Sequence, residues 1–363
     1  HALQKPIPNK MTALLNSIKL RVLSICTKQQ DMDNTEKLDF TGQVAVVTGA
    51  GRGLGRQHAL LLASRGCKVI INDLGSAYDG TGEAEGKVAD KVVAEIRAAG
   101  GEATANYDSV EQGELIIAAA IQAYGRIDLV INNAGILTPE VWSELTLESW
   151  QRTINVNLTG VFSVMKAVWP IFVEQKYGRC IMTSSPAMYG AGVAAYAASK
   201  AGLIGLANSL QFEARKLKLD IKCNILIPQA DTRMTQDFAS SINERRISQG
   251  KPAARSAPVE VMRRLSPDKV SAMVIWLAHP SCHAEASIHE AGGGYFAQLN
   301  WARSAPLFAT ELEGVEDAPL PENIRDGLAT LADFDNGDMP KSGDGSMGSP
   351  SALEQVFKHI KSE

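Results

Sequence analysis

Between residues 40 and 290 the chain alternates between short β-branched apolar runs and longer amphipathic stretches. "QVAVVT" leads into "GAGRGLGRQHALLLASRG", "KVIIND" into "EGKVADKVVAEIRAAGG", and "EATANYD" into "ELIIAAAIQAYG". "RIDLVINNAG" precedes a long helical stretch over 148–175, and "GRCIMTSS" a second over 196–217; "DIKCNILIP" and "SPDKVSAMVIWLAH" complete the series. Strands apolar on both faces must be covered on both faces, and strand–helix–strand passages within one sheet are right-handed crossovers. The pattern predicts a single α/β domain, a doubly wound parallel-sheet Rossmann fold in three α/β/α layers, with short flanking extensions.

Charge marks off those extensions. Net charge is −4 over 363 residues, so no long-range attraction to nucleic acid or anionic membrane is expected. Residues 306–363 form an acidic tail, with twelve acids against four bases, and residues 1–39 an N-terminal extension with six bases against four. The domain therefore runs from about 40 to 305. "MTALLNSIKLRVLSICTKQQ" is basic, amphipathic and acid-free, as a mitochondrial transit peptide is, but the reading preferred here is sequence upstream of a natural start at Met32. A cytoplasmic location is expected, or the mitochondrial matrix if residues 1–31 are a transit peptide. Five cysteines without disulfide or metal spacing agree with a reducing compartment. No run reaches the ~18 apolar residues of a membrane span. No metal site is expected: "HPSCHAEASIH" matches no zinc ligand spacing, and Asp333, Asp335 and Asp338 only faintly resemble a calcium loop.

"TGAGRGLG" lies where the first strand meets the first helix. There Gly49 allows the tight turn, and Gly53 and Gly55 let backbone and helix N-terminus approach a pyrophosphate. Asp73 ends the second strand, where a carboxylate accepts the adenosine ribose hydroxyls and repels a 2′-phosphate. Arg52 argues the other way, since a guanidinium can fork onto that phosphate. The ribose-proximal carboxylate ranks above a flexible arginine, so NAD is expected in preference to NADP. Asp108 and Ser109, ending strand three, flank the adenine, and Asn133 of "NNAG" sits at the switch-point crevice.

Tyr196 and Lys200 lie four apart on one helix face, about 6 Å apart at Cβ. An ammonium beside a phenol favours phenolate, so a lowered Tyr196 pKa and acid–base work near neutral pH are expected. Ser185, ending the preceding strand, can hold a substrate oxygen against the phenol, and Asn157 in "NVNLTG" can hold a water linking Lys200 to solvent. His58 is read as a packing or helix-surface residue.

"TGxxxGxG", "NNAG" and Tyr-x-x-x-Lys occur in this order, and over residues 40 to about 305 the chain resembles the short-chain dehydrogenase/reductase family. The resemblance implies an alcohol–ketone oxidoreductase with a catalytic tetrad of Asn157, Ser185, Tyr196 and Lys200, the last also holding the nicotinamide ribose. It further implies that Leu54, Val110, Ala134, Gly135, Pro228 and Thr232 line the dinucleotide. Within the family, "NDLG", "ADKVVAEIRAAGG", "ANYDSVE", "KYGRCIMTSS" and "EAGGGYFAQLNWAR" resemble the (3R)-hydroxyacyl-CoA dehydrogenase domains of peroxisomal multifunctional enzymes. A 3-hydroxyacyl-CoA-like substrate is implied, with a hydroxysteroid or other hydrophobic alcohol as the alternative. A catalytically silent dinucleotide-binding scaffold is a further alternative. No hydratase-like segment follows, so a stand-alone dehydrogenase is expected.

Three features depart from the pattern. Ser185 precedes Tyr196 by 11 residues and Ser184 by 12, both closer than in the family, so either serine can fill the role. Asn157 stands where the multifunctional enzymes have histidine. The segment 231–265, expected to cover the substrate, is longer than theirs. Its Arg245, Arg246, Arg255, Arg263, Arg264 and Lys251 can meet coenzyme A phosphates or form a solvated basic lid, the latter being preferred. Apolar residues beyond one stripe in the two long helices predict a homodimer or homotetramer.

Overall fold

The computed structural model describes residues 37–81, 87–253, 259–308 and 321–335. The N-terminal extension up to residue 36, with its possible transit peptide, and Asp338 lie outside the described residues. The sheet has eight strands in the order β3-β2-β1-β4-β5-β6-β7-β8. They are β1 (Val44–Thr48), β2 (Lys68–Asn72), β3 (Ala103–Asn106), β4 (Leu129–Asn132), β5 (Tyr177–Thr183), β6 (Asp220–Pro228), β7 (Ile288–Gly292) and β8 (Tyr295–Leu299). Residues of β1 are buried along their whole length, as strands covered on both faces must be. The order in which strands are added reverses between β1 and β4, which pair in parallel from Ala45↔Leu129 to Val47↔Ile131. That reversal opens the crevice at the strand C-termini where ligands of this architecture bind.

One layer holds α1 (Gly53–Ala63), α2 (Val88–Ala98) and α9 (Asp268–Ala278). The other holds α3 (Gly113–Tyr124), α4 (Leu147–Ile154), α5 (Gly160–Gln175) and α6 (Ala194–Lys216), and most of the apolar core lies beneath it, around Ile116, Val164, Phe172 and Leu203. Helices α3 and α5 approach closely at Gly113, where a Cβ would stand 2.4 Å from the Val164 backbone nitrogen. The segment after β6 forms α7 (Arg233–Ser248) and α8 (Val259–Arg264), and the described part of the acidic tail forms α10 (Pro321–Asp326) and α11 (Leu328–Leu331).

The sheet departs from the expected all-parallel pattern at its edge. β8 runs antiparallel to β7, from Ile288↔Leu299 to Gly292↔Tyr295, through a turn at Gly293 and Gly294, both at positive φ. A two-residue glycine turn can only return the chain beside itself, whereas a parallel partner needs a crossover. The long helical stretch also differs from an unbroken α-helix, since a π turn at Asn155–Thr159 separates α4 from α5. By length and composition alone the run Leu147–Gln175 is long and apolar enough to cross a membrane. It packs instead against α3, α6 and the sheet.

Candidate active site

The glycine turn after β1 is built to admit a ligand. Gly49 takes φ +62°, and a Cβ there would stand 2.8 Å from the Ala134 Cα. A Cβ on Gly55 would meet the Gly49 carbonyl oxygen at 2.3 Å and Asn133 Nδ2 at 2.5 Å. Asn133 clamps this turn to β4, its Nδ2 donating to the carbonyls of Thr48 (3.0 Å) and Gly49 (3.1 Å). The Thr48 hydroxyl accepts from the amides of Asn133 and Ala134, both at 3.1 Å. The turn, the start of α1 and the end of β4 therefore form one rigid cradle at a helix N-terminus, the geometry that receives a pyrophosphate.

Asp73 continues the cradle. Its Oδ2 accepts from Gly51 N and its Oδ1 from Gly75 N, each at 2.8 Å, which fixes the carboxylate plane at the end of β2. Asn106 Nδ2 donates to Asp108 Oδ2 at 2.7 Å, and Ser109 begins the single helical turn Val110–Gln112. A cleft of about 460 Å³ runs along these strand ends. Its wall includes Gly49, Arg52, Gly53, Leu54, Asp73, Asp108, Ser109, Val110, Asn133, Ala134, Gly135, Pro228 and Thr232; Gly55 is buried behind the turn. A dinucleotide fits these residues, because the cradle positions a Cβ would fill are glycines.

At the other end of the same cleft lie Ser184, Ser185, Tyr196 and Lys200. The two serines divide their roles through local geometry. Ser184 is buried and its Oγ donates to the Lys200 carbonyl at 2.8 Å, tying β5 to α6. Ser185 caps the short turn Pro186–Tyr189, accepting from Ala187 N at 3.2 Å, and its side chain hydrogen-bonds Tyr196. Of the two, Ser185 faces the phenol. Lys200 is almost fully buried, its Nζ donating to the Thr183 carbonyl at 2.8 Å and lying 5.6 Å from the Tyr196 ring centroid.

The Tyr196 pKa runs opposite to the sequence expectation. Burial raises it above its ordinary value, and the Ser185 hydrogen bond only partly opposes that. Burial likewise lowers the Lys200 pKa to about 8. Removing both groups from water favours their neutral forms and outweighs their mutual attraction in the chain alone.

Asn157 is fully buried in the π turn, whose extra residue directs it toward the strand ends. Its Oδ1 accepts from Ile136 N (2.8 Å), and its Nδ2 donates to Ile136 O (2.9 Å) and Ser199 Oγ (3.2 Å). Its Oδ1 and Lys200 Nζ stand 3.2 and 3.3 Å from the point a Cβ on Gly135 would occupy, so the two groups flank one gap.

Of the arginines expected over the substrate, Arg245 pairs with Glu144 and Arg246 Nε donates to the Pro252 carbonyl at 2.9 Å. Arg255 lies outside the described residues. The described part of segment 231–265 that lines the cleft is the start of α7, with Thr232, Arg233, Met234 and Thr235. Sequence reasoning missed Thr48 as a clamp, and also Tyr78, Arg152 and Met234, which line the cleft far from any motif. No three His, Cys, Asp or Glu side chains are grouped to hold a metal among the described residues.

Residues 43–243 match the short chain dehydrogenase family, and the chain belongs to that family. Its members are oxidoreductases acting on CH–OH groups with nicotinamide dinucleotides. The chain is 40% identical over 329 residues to peroxisomal multifunctional enzyme type 2 of Mus musculus, which covers 90% of the chain but only 41% of the mouse protein. It is 34% identical over 261 residues to a hydroxyacyl-CoA dehydrogenase of Mycobacterium tuberculosis, covering 68% of the chain and 76% of that protein. The structure of full-length peroxisomal multifunctional enzyme type 2 from Drosophila melanogaster superposes with a TM-score of 0.68 at 29% identity, over 89% of this chain and 50% of that one.

Proposed function

We propose that the chain is an NAD-dependent dehydrogenase interconverting a secondary alcohol and a ketone, with a 3-hydroxyacyl-CoA or similar thioester as substrate. The observation that carries this reading is a single cleft joining the glycine cradle and Asp73 to the Ser185–Tyr196–Lys200 group. NAD is favoured over NADP because the fixed Asp73 carboxylate suits ribose hydroxyls and repels a phosphate. The thioester is favoured by the similarity to a hydroxyacyl-CoA dehydrogenase and by an apolar wall of Leu137, Val193, Met234 and Phe238 around Tyr196, suited to a carbon chain.

In the oxidative direction Ser185 Oγ donates to the substrate oxygen and holds it against Tyr196, whose oxygen takes the hydroxyl proton. NAD, when bound, supplies the hydride acceptor. A buried phenol is a poor base, so the reaction depends on Lys200 being protonated beside it. With a pKa of about 8 the amine is mostly protonated at neutral pH. Asn157 Oδ1 faces Lys200 Nζ across the gap beside Gly135, where one water can relay the proton outward.

Initial rates with NAD and NADP across 3-hydroxyacyl-CoA, hydroxysteroid and simple secondary alcohols test the proposal, with Tyr196→Phe as the control. Turnover is expected on the thioester with NAD, with a loss of about 10²-fold or more in the variant. Unchanged turnover in Tyr196→Phe removes the tyrosine from its role. Dinucleotide binding without turnover of any alcohol would favour a silent scaffold.

A further inference from the structure

Arg152 lines the cleft although it belongs to no motif, and its place is set by the helix that carries it. α4 is pinned at two points to the segment after β4. Thr153 Oγ1 lies 3.4 Å from Thr138 Oγ1, and Asn157 in the following π turn exchanges two hydrogen bonds with the Ile136 backbone. Arg152 and Val156 stand four residues apart, about one turn of helix, and both face the cleft. Arg152 is partly buried, and its Nε is buried without a hydrogen-bond partner among the described residues. Its charge is felt by the Asp79 carboxylate, yet no ion pair joins the two. Asp79 Oδ1 already accepts from Thr81 N (3.0 Å) and Thr81 Oγ1 (2.7 Å).

The surroundings restrict what this guanidinium can meet. Val110 packs on the start of α5, since a Cβ on Gly160 would stand 2.6 Å from Val110 Cγ2. Val110, Val156 and Ile136 give this stretch of the cleft an apolar wall, and Asp108 and Glu111 add two carboxylates. The carboxylates disfavour a phosphate beside them. A guanidinium in an apolar stretch favours a flat, uncharged, electron-rich ring, on whose face it stacks and whose ring nitrogens accept its N–H groups. Adenine has that chemistry. Its exocyclic amine also donates, and Asp108 is an acceptor held in place by Asn106 Nδ2 at 2.7 Å.

We propose that Arg152 is an adenine-binding residue, whose guanidinium meets the base of the dinucleotide where α4 faces the turn at Val110. This rests on the NAD-dependent reading above, and it separates from that reading because the adenine half of the cofactor can be followed without turnover.

The test uses the full chain with Arg152→Met, which keeps an apolar stem without the charge, and Arg152→Lys, which keeps the charge without the planar fork. NADH affinity is read by fluorescence. AMP and reduced nicotinamide mononucleotide, which carries a phosphate but no adenine, are read by competition against NADH. NADH and AMP are expected to bind about 3- to 30-fold more weakly to Arg152→Met, the range a cation over an aromatic face supplies, with the mononucleotide unaffected. Arg152→Lys should recover part of the loss. Equal weakening of AMP and the mononucleotide would mean that the arginine acts on phosphate, and overturns the proposal. So does a rise in the alcohol KM with AMP affinity unchanged, which would set the arginine against the substrate. A lower melting temperature with every affinity unchanged would make its role structural and overturns it as well. Binding of NADH by the wild type without turnover of any alcohol would instead sink the proposed function, while the AMP comparison still decides the role of Arg152.

Discussion

His58 makes the stability of the fold depend on mild acid. It is fully buried in α1, and its Nδ1 lies 2.8 Å from Ser271 Oγ in α9, joining the two helices of one layer. Nε2 is buried without a partner. A charged imidazole there would be stranded, and burial lowers the pKa from 6.5 to about 3. The unfolded chain takes up a proton near 6.5 and the folded one does not. The stabilisation is therefore fully present above pH 6.5 and is lost as pH falls toward 3, at about 1.4 kcal/mol per pH unit. Between about pH 7.5 and pH 5 the loss from this one group is about 2 kcal/mol. Urea unfolding at those two values, on the wild type and His58→Asn, isolates it, because carboxylates contribute equally to both proteins. The variant should be less stable at the higher pH, yet lose about 2 kcal/mol less on acidification. Equal losses in the two proteins would refute the reasoning.

Gly55→Ala places a Cβ 2.3 Å from the Gly49 carbonyl, so the cradle must move; NADH binding by fluorescence should weaken about 10- to 100-fold. Asp73→Ser removes the acceptor of the Gly51 and Gly75 amides and the charge facing the ribose. The KM for NAD should rise about 10-fold or more while that for NADP falls, and an unchanged ratio of the two would contradict the assignment. Phe162 of α5 and Phe212 of α6 are 52% and 45% exposed, and the latter continues a stripe of Ala201, Gly205 and Ser209. Light scattering at micromolar concentration should show a homodimer or homotetramer that Phe212→Glu weakens, and a monomeric wild type would contradict this.

The sequence by itself determined whatever depends on local period and motif. β-branched runs separated by amphipathic stretches dictated a covered parallel sheet, and the glycines after β1, Asp73 at the end of β2 and the Tyr196–Lys200 spacing marked both ends of one crevice. These signals are legible because strand and helix periods, tight turns and i,i+4 neighbours are properties of a few adjacent residues. Only the tertiary structure decided which serine faces the phenol, since Ser184 and Ser185 differ by a turn of the backbone at the end of β5. It also decided the π turn that brings Asn157 inward and the antiparallel return of β8. Above all, it reversed the expected shift of Tyr196. The sequence places a cation beside the phenol, but how far both are withdrawn from water depends also on Leu137, Met234 and Phe238, contributed by segments remote along the chain. Burial is a sum over such distant neighbours, so the balance of charge and desolvation exists only once they have assembled.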